Sequence, residues 1–383
     1  MFFKSNGKLL NSAIHFVGFK FPYLFRFLSG FRPYQKRLLI IRVDAIGDYI
    51  LFRNFIEEVK QSEAFKGYQV DLVFNHILKD LVFANDSQYL NNQYDINAKL
   101  LLSSPMQLLK AGWVLFRQNY AIVLQPSSTR TFLGDALMAL AAGRQNIGFE
   151  GDTEGIIARH KAKFDKFYTQ KLTLPSECHF EFNRNLFFFE KVLNKRILRD
   201  RPLLPVNKAK REGILIFPGA GVFRRRWEGE KFLSLINLIL QNTKETVYLM
   251  GAGAEKEIAD YLVVNTDPAR VVNLTNKLSL SGLIGKIGAA RLVITNETSA
   301  VHIAVATDTN AVCIVGGGHF DRFAPYPDGM TDKLVCVYEK LDCYYCNWSC
   351  IYQVDELGTY PCIAVVKVDK VWQAVAPLLK VPA

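Results

Sequence analysis

The residues best suited to chemistry in this chain lie in short loops that follow apolar runs. Foremost is Ile214–Trp227, ILIFPGAGVFRRRW. Four apolar residues lead into Pro218-Gly219-Ala220-Gly221, a turn whose small residues let backbone approach a ligand closely. Arg224, Arg225, Arg226 and Trp227 follow, and then an apolar-periodic segment. A strand, a small-residue turn, fixed positive charge and a helix start describe a site for a phosphorylated ligand. A βα turn with a solvated arginine cluster fits the same residues, and one glycine-rich turn does not choose between them. Asp44–Asp48 follows a second apolar run, LLIIRV. There Asp48 is placed either to act as a general base or to satisfy the free N–H groups of a helix start. Gln125–Arg130, Gly251–Glu257, Thr295–Ser299 and Gly316–Asp321 are further polar or small-residue loops of the same kind. Cys343, Cys346, Cys350 and Cys362 fall in one short window. Four thiols at that density can bind zinc tetrahedrally, pair as disulfides or stay reduced.

The elements that must position these loops alternate between strand and helix. Leu38–Val43, Val70–Phe74 and Ala121–Leu124 read as buried strands, and Met106–Phe116 and Thr131–Ala142 as helices. After a basic, irregular stretch with Pro202 and Pro205 the alternation resumes. Strands at Ile214–Phe217, Val247–Met250, Leu292–Thr295 and Ala311–Val315 alternate with helices at Glu228–Leu240, Ser279–Ala290 and Thr298–Ala306, and a last helix runs from Val368 to Leu379. Such alternation predicts an α/β fold with two open parallel sheets, and ligands bind outside the carboxyl ends of such strands. Two such sheets facing each other would set Asp48 opposite the phosphate loops of the second half.

At 383 residues the chain suits two domains. Of the formal charge of +11, eight charges come from residues before Asp44, where no acid occurs. The surplus therefore describes a basic N-terminal arm, not a body covered in nucleic-acid contacts. That arm is rich in phenylalanine, with Leu9, Leu10, Ile14 and Leu24 at roughly helical spacing. A basic amphipathic helix of this kind fits the interface of an anionic membrane, or else packs on the body. Its apolar segment, broken by His15, lacks the cleavage site of a secretory signal, and no run of about 18 apolar residues predicts a transmembrane helix.

Four motifs in order carry a family resemblance: VDAIGD at Val43–Asp48, FPGAGVFRRRW at Phe217–Trp227, LMGAGAEKE at Leu249–Glu257 and TNETSAVHIA at Thr295–Ala304. With LTNKLSLSGLIGKIGAARLVI at Leu274–Ile294 they resemble glycosyltransferase family 9, the heptosyltransferases of lipopolysaccharide assembly, over about residues 38–365. The resemblance implies the GT-B architecture: two Rossmann-like domains facing across a cleft, with a C-terminal helix returning to the first domain. The expected division is an arm at 1–36, an acceptor-side domain with the base at 37–195, a linker at 196–212, a donor-side domain at 213–366 and a C-terminal helix at 367–383. The implied reaction is inverting transfer of a sugar, typically heptose from ADP-heptose, to a lipid-linked saccharide.

Residue by residue, the resemblance makes Asp48 the general base and puts Arg225 where the family often has a lysine on the donor phosphate and sugar. Gly219, Ala220 and Gly221 take the phosphate turn, with Ala220 and Gly221 where some members place hydroxyl residues. Glu255 stands for the carboxylate on the donor ribose, and Glu297 for the aspartate on the sugar. Thr298, Ser299 and Ala300 form the helix N-terminus that receives the diphosphate. His302 matches a family histidine, either structural or a ligand. Arg225 for lysine changes a point charge into a planar fork, Glu297 for aspartate adds a methylene, and Ser299-Ala300 replaces a more usual Gly-Pro. These departures bear on donor identity more than on reaction class. No metal is expected for catalysis and no cofactor is required beyond the nucleotide sugar. Reduced thiols or a structural zinc are expected at Cys343, Cys346, Cys350 and Cys362. The protein is expected in the cytoplasm, peripheral on the inner membrane through the arm, without nucleic acid as a partner. The alternatives are another nucleotide sugar, or a non-catalytic nucleotide-binding protein of the same fold.

Overall fold

The computed structural model describes residues 2–206, 211–355 and 358–382. The chain forms two compact units: residues 1–178 with 183–198, and residues 179–182 with 199–383. Unit 1 holds six parallel strands, β1 (Gln35–Arg42), β2 (Gln69–Asn75), β3 (Asn92–Ile96), β4 (Tyr120–Gln125), β5 (Gln145–Phe149) and β6 (Gln170–Leu172), in the order β3-β2-β1-β4-β5-β6. The central strand β1 pairs with both β2 and β4, so that Leu38 lies beside Val70 on one side and Ile122 on the other. Its residues Leu38–Ile41 are fully buried, as expected for a parallel strand covered on both faces.

The helices of unit 1 are α1 (Phe2–Ser29), α2 (Ile46–Phe52), α3 (Asn54–Lys60), α4 (Lys79–Asn85), α5 (Ala98–Ser103), α6 (Pro105–Phe116), α7 (Phe132–Ala141), α8 (Ala158–Phe164) and α9 (Glu181–Leu193). Helix α7 is buried all round, and its start is capped by Thr131, whose hydroxyl accepts the Gly134 N–H at 3.2 Å. The basic N-terminal segment is no detached arm. Helix α1 packs on α7 and α6, with Ile14, Val17, Phe19 and Phe25 inside the core of unit 1. Burying each of these side chains contributes about 1.5–3 kcal/mol, which a helix detached from the body forgoes. Phe16, Leu24, Phe27 and Phe31 remain exposed, together with Met106 and Trp113 of α6.

Unit 2 repeats the plan. Strands β7 (Ile214–Phe217), β8 (Val247–Leu249), β9 (Val271–Asn273), β10 (Leu292–Asn296), β11 (Ala311–Ile314) and β12 (Leu334–Val337) lie parallel in the order β12-β11-β10-β7-β8-β9. Its helices are α10 (Gly229–Asn242), α11 (Lys256–Val264), α12 (Leu280–Gly288), α13 (Ser299–Ala306), α14 (Pro361–Ala364) and α15 (Val368–Leu379). Counted from the first strand of each unit, both sheets have the order 3-2-1-4-5-6 of a Rossmann fold. The C-terminal helix packs on unit 2: Val371, Trp372, Val375, Ala376 and Leu379 of α15 enter its core beside α10. From Arg199 onward the described part of the expected linker is held by unit 2, while its first residues, to Leu198, belong to unit 1. Leu204 is buried and its N–H bonds to the Ala306 carbonyl at 2.8 Å, while Arg201 pairs with Asp308 at 3.3 Å.

Candidate active site

In each sheet the strand order reverses beside the unit's first strand, between β1 and β4 and between β7 and β10. Loops leaving the carboxyl ends of such strand pairs diverge and open a crevice. The loops that carry the candidate residues are those loops, together with the loop after β8, which carries Glu255.

In unit 1, charge ties the two loops together. Arg42, at the end of β1, has Nε 2.9 Å from Asp44 Oδ2 and donates through Nη1 to the Pro126 carbonyl and to Ser127 Oγ, both at 3.1 Å. Ser127 in turn donates to Asp44 Oδ2 at 2.7 Å. Arg42 is buried, and its guanidinium stands 5.2 Å from the Phe52 ring centre. The loop after β1 is thereby clamped to the loop after β4. Asp48 follows in the first turn of α2, half-buried, where the helix dipole favours its charged form. The rest of the Gln125–Arg130 loop is anchored from below. Arg184 donates to Ser128 Oγ at 3.1 Å, and the buried Arg130 pairs with Asp135 at 2.7 Å and Asp165 at 2.6 Å. Burial pushes the Asp135 carboxyl up from its ordinary range, against the pull of Arg130. Arg130 therefore serves the scaffold.

In unit 2 the corresponding loops are tied by a neutral amide. Asn296, the last residue of β10, donates from Nδ2 to the carbonyls of Pro218 and Gly219, both at 3.0 Å, and its Oδ1 accepts the Trp227 N–H at 2.9 Å. Trp227 is buried, with its indole N–H on the Val366 carbonyl at 2.9 Å. One asparagine thus fixes both ends of the PGAGVFRRR turn. Gly219 is needed there for a reason the sequence does not show: a Cβ on it would stand 2.1 Å from Glu255 Cγ. Gly251, in the left-handed region at φ +153°, is likewise closed by Glu255, 2.7 Å from its Cβ. The two glycines admit Glu255, while Gly221 faces open space.

The three arginines separate. Arg226 pairs with Glu255 Oε1 at 3.1 Å. The other Glu255 oxygen accepts the Ala252 N–H at 2.9 Å, so both oxygens of this buried carboxylate are engaged. Arg225 lies with its guanidinium carbon 4.1 Å from the Trp348 ring centre, and its charge acts on Glu297. Glu297 follows Asn296 directly. Burial pushes its carboxyl up to about 8, although Arg225 and a Gly316 backbone N–H favour the charged form. Burial thus favours its protonated form, which can donate a hydrogen bond where a carboxylate cannot. Its Oε2 is buried without a hydrogen-bond partner. Thr298 caps α13, accepting the Ala300 N–H at 3.3 Å, and its hydroxyl lies 3.1 Å from that of Thr295. Gly219, Ala220, Gly221, Arg225, Glu255, Glu297, Thr298, Ser299 and Ala300 thus all belong to the loops at the carboxyl edge of β7, β8 and β10.

His302 has a structural role in this arrangement. It is buried in α13, its Nδ1 lies 2.8 Å from the Tyr326 hydroxyl, and burial lowers it to about 4. It is neutral at physiological pH. The C-terminal cysteines are free thiols. Cys362 is buried, and its Sγ accepts the Gly317 N–H at 3.4 Å. Among the described residues no group of three or more His, Cys, Asp or Glu side chains is placed to hold a metal ion, so the expected structural zinc finds no fitting donor set. A concavity of about 670 Å³ lies at the opposite rim, where β7, β8 and β10 begin, lined by Arg211, Glu245 and Arg291 among others. It contains none of the candidate residues.

Residues 133–347, more than half of the chain, match glycosyltransferase family 9 (heptosyltransferase). The chain belongs to this family. It is a glycosyltransferase, and its two Rossmann-like units are those of the GT-B class. Lipooligosaccharide heptosyltransferase 2 of Campylobacter jejuni serotype O:2 is 23% identical over 290 residues, which are 74% of this chain and 83% of that protein. Among solved structures, a family 9 glycosyltransferase from Veillonella parvula aligns with TM-score 0.70 and 16% identity, covering 91% of this chain and 98% of that one. The E. coli ADP-heptose lps heptosyltransferase II aligns with TM-score 0.67 and 15% identity, covering 90% and 98%.

Sequence reasoning missed the residues that hold the loops. Arg42 counted only as part of the basic surplus, and Asn296 was read inside a motif without a role. Each ends the strand that begins a switch-point loop, a position that could have singled both out. Trp348 carried no local signal.

Proposed function

We propose that the protein transfers heptose from ADP-heptose, with inversion, to a lipid-linked saccharide in the assembly of lipopolysaccharide or a related surface glycan. The observation that carries this reading is the carboxyl edge of β7 and β10, where Asn296 holds the glycine turn against the N-terminus of α13 and Arg225 supplies fixed positive charge. Backbone N–H groups, a helix dipole and a guanidinium meet the needs of a departing diphosphate. Arg226 orients Glu255, whose role is to receive the donor ribose once its bonds rearrange. Glu297, as a neutral acid, donates to an oxygen of the sugar or phosphate. Asp48 takes the proton of the attacking acceptor hydroxyl. The reading is supported by the names of the relatives, which are heptosyltransferases of lipooligosaccharide and lipopolysaccharide. Another nucleotide sugar is favoured by one observation: Glu297 is a methylene longer than the aspartate usual in the family. Incubating the chain with ADP-heptose and with ADP-, UDP- and GDP-hexoses, each with a heptose-deficient glycolipid acceptor, and weighing the product by mass spectrometry separates the two. Product from ADP-heptose alone supports the reading, and product from a hexose donor alone replaces it.

A cytoplasmic enzyme peripheral on the inner membrane is part of the same proposal. No described helix is long and apolar enough to cross a membrane. What supports surface binding is the outer face of α1 and the turn after it, where Phe16, Leu24 and Phe27, and then Phe31, are exposed in a segment without acidic residues. Because α1 also supplies core, deleting residues 1–36 would unfold more than it detaches. Replacing Phe16, Phe27 and Phe31 with serine spares the core. That variant should lose binding to anionic vesicles while keeping its melting temperature, and undiminished sedimentation with the vesicles would remove this face as the anchor.

A further inference from the structure

The segment with Cys343, Cys346 and Cys350 finds no metal role among the described residues, yet it is built against the donor loops of its own unit. Its backbone is bonded to the glycine run after β11: the Tyr345 N–H reaches the Gly317 carbonyl at 2.8 Å, and the Asn347 N–H reaches the Gly318 carbonyl at 2.9 Å. Tyr345, Asn347 and Trp348 all take positive φ, at 66°, 48° and 63°. Three departures of this kind within four residues persist only where surrounding contacts enforce them. Here the enforcing contacts are close. A Cβ on Gly316 or Gly318 would stand 2.6 or 2.2 Å from the Trp348 ring, and one on Gly317 would stand 2.5 Å from Tyr344. Glycine at all three positions lets the two aromatic rings lie directly on the backbone.

The ring placed with this effort is the one that meets Arg225. The Arg225 guanidinium carbon is 4.1 Å from the Trp348 ring centre, and that ring also meets Tyr360, stacked at 5.6 Å and 30°, and His319, edge-on at 6.0 Å and 78°. Tyr360 is itself tied to the arginine turn, its N–H on the Arg224 carbonyl at 2.8 Å. Trp348 Nε1 is buried without a hydrogen-bond partner, as is Oε2 of Glu297, on which Arg225 acts. Two orphaned polar atoms around one guanidinium mark a place where a bound molecule completes the hydrogen bonding. A long arginine side chain gains most from such a platform, because stacking sets the plane of its fork before the ligand arrives.

We propose that the Cys343–Cys350 loop is a wall of the donor site and that Trp348 is the positioning residue for Arg225. The inference rests on the reading of Arg225 as a donor-phosphate contact. It assigns the loop a role in recognising a nucleoside diphosphate, with Trp348 acting through Arg225.

Calorimetric titration of the full chain with ADP tests it in a double-mutant cycle. W348A should weaken ADP binding about 3- to 30-fold and raise KM for the nucleotide sugar by more than it lowers kcat. W348F, which keeps an aromatic face, should stay within about threefold of wild type. In an R225A background W348A should weaken ADP binding by less than about twofold further. Wild-type ADP affinity in W348A, or the same loss with and without Arg225, would overturn the proposal. Should W348A lose its cooperative thermal transition, W348L takes its place under the same two criteria. Failure of R225A to weaken ADP binding overturns the donor reading of Arg225 itself. A weakened R225A beside an unchanged W348A overturns only the role of Trp348.

Discussion

The two units share a topology and a switch point, but they close it with opposite chemistry. In unit 1 the loops after β1 and β4 are joined by Arg42, Asp44 and Ser127, so a buried cation is neutralised inside the clamp. In unit 2 the loops after β7 and β10 are joined by Asn296, which has no charge to neutralise. A neutral tie lets the positive potential of Arg225 and of the α13 N-terminus act on a ligand. A carboxylate in the same place would cancel part of it. On the proposed reading the first unit presents a carboxylate, Asp48, and the second a cradle for an anion, from one strand order. Fold and chemistry are separable here: the sheet provides the crevice, and one or two residues at the strand ends decide its sign.

The largest test of this contrast is at Asp48. Asp48→Asn should leave ADP affinity within about twofold and lower kcat by about 10²-fold or more, because only the base is lost. Near-normal turnover would remove Asp48 from that role and take the acidic half of the comparison with it. The tie in unit 2 comes next. Asn296→Asp keeps the size but puts a negative charge under the turn and aims an acceptor at the carbonyls of Pro218 and Gly219. ADP affinity should fall about tenfold or more, whereas Asp44→Asn in unit 1 should leave it within about twofold. Equal effects would mean that the sign of the tie is irrelevant to the anion site.

The smallest effect concerns the proton on Glu297. Burial raises its carboxyl to about 8 in the folded chain, above the usual 4.5, so the folded state binds more protons between those values. Its contribution to stability is therefore complete at low pH, declines as pH rises from about 5 to 8, and levels off above. Glu297→Gln, which cannot ionise, should gain stability relative to wild type over that window in urea unfolding at stepped pH. It should also hold ADP with an affinity flat from pH 7 to 9, while the wild type weakens a few-fold above pH 8. A wild type as flat as the variant would mean that Glu297 is already charged in the folded chain.

The sequence made the middle of each sheet legible, apart from the interior strand β5 (QNIGF), and left the edges out. Runs such as LLIIRV and ILIF announce buried parallel strands. The four edge strands β3, β6, β9 and β12 read as NQYDI, QKL, VVN and LVCV, too short or too polar to stand out. An edge strand is specified by the neighbour it pairs with more than by its own residues. The glycine turn and the acidic loop were legible because small residues and charges after an apolar run have few uses. Helix α1 was legible as an amphipathic helix but not as part of the core, since a basic, aromatic-rich surface suits a membrane and a protein body equally.

By itself, then, the sequence determined the alternation of elements, the strand ends at which ligands can bind, and the order of motifs that marks the family. These are local properties, written in runs of a few residues by hydrophobicity and backbone preference. Only the tertiary structure decided which arginine serves which partner, with Arg226 on Glu255 and Arg225 on Trp348. It alone made Asn296 the tie between the loops after β7 and β10, buried Glu297 so that its carboxyl is pushed up, set His302 against the Tyr326 hydroxyl and brought α1 into the core. Each of these depends on burial and on distances between residues far apart in the chain, and neither exists until the sheets have formed.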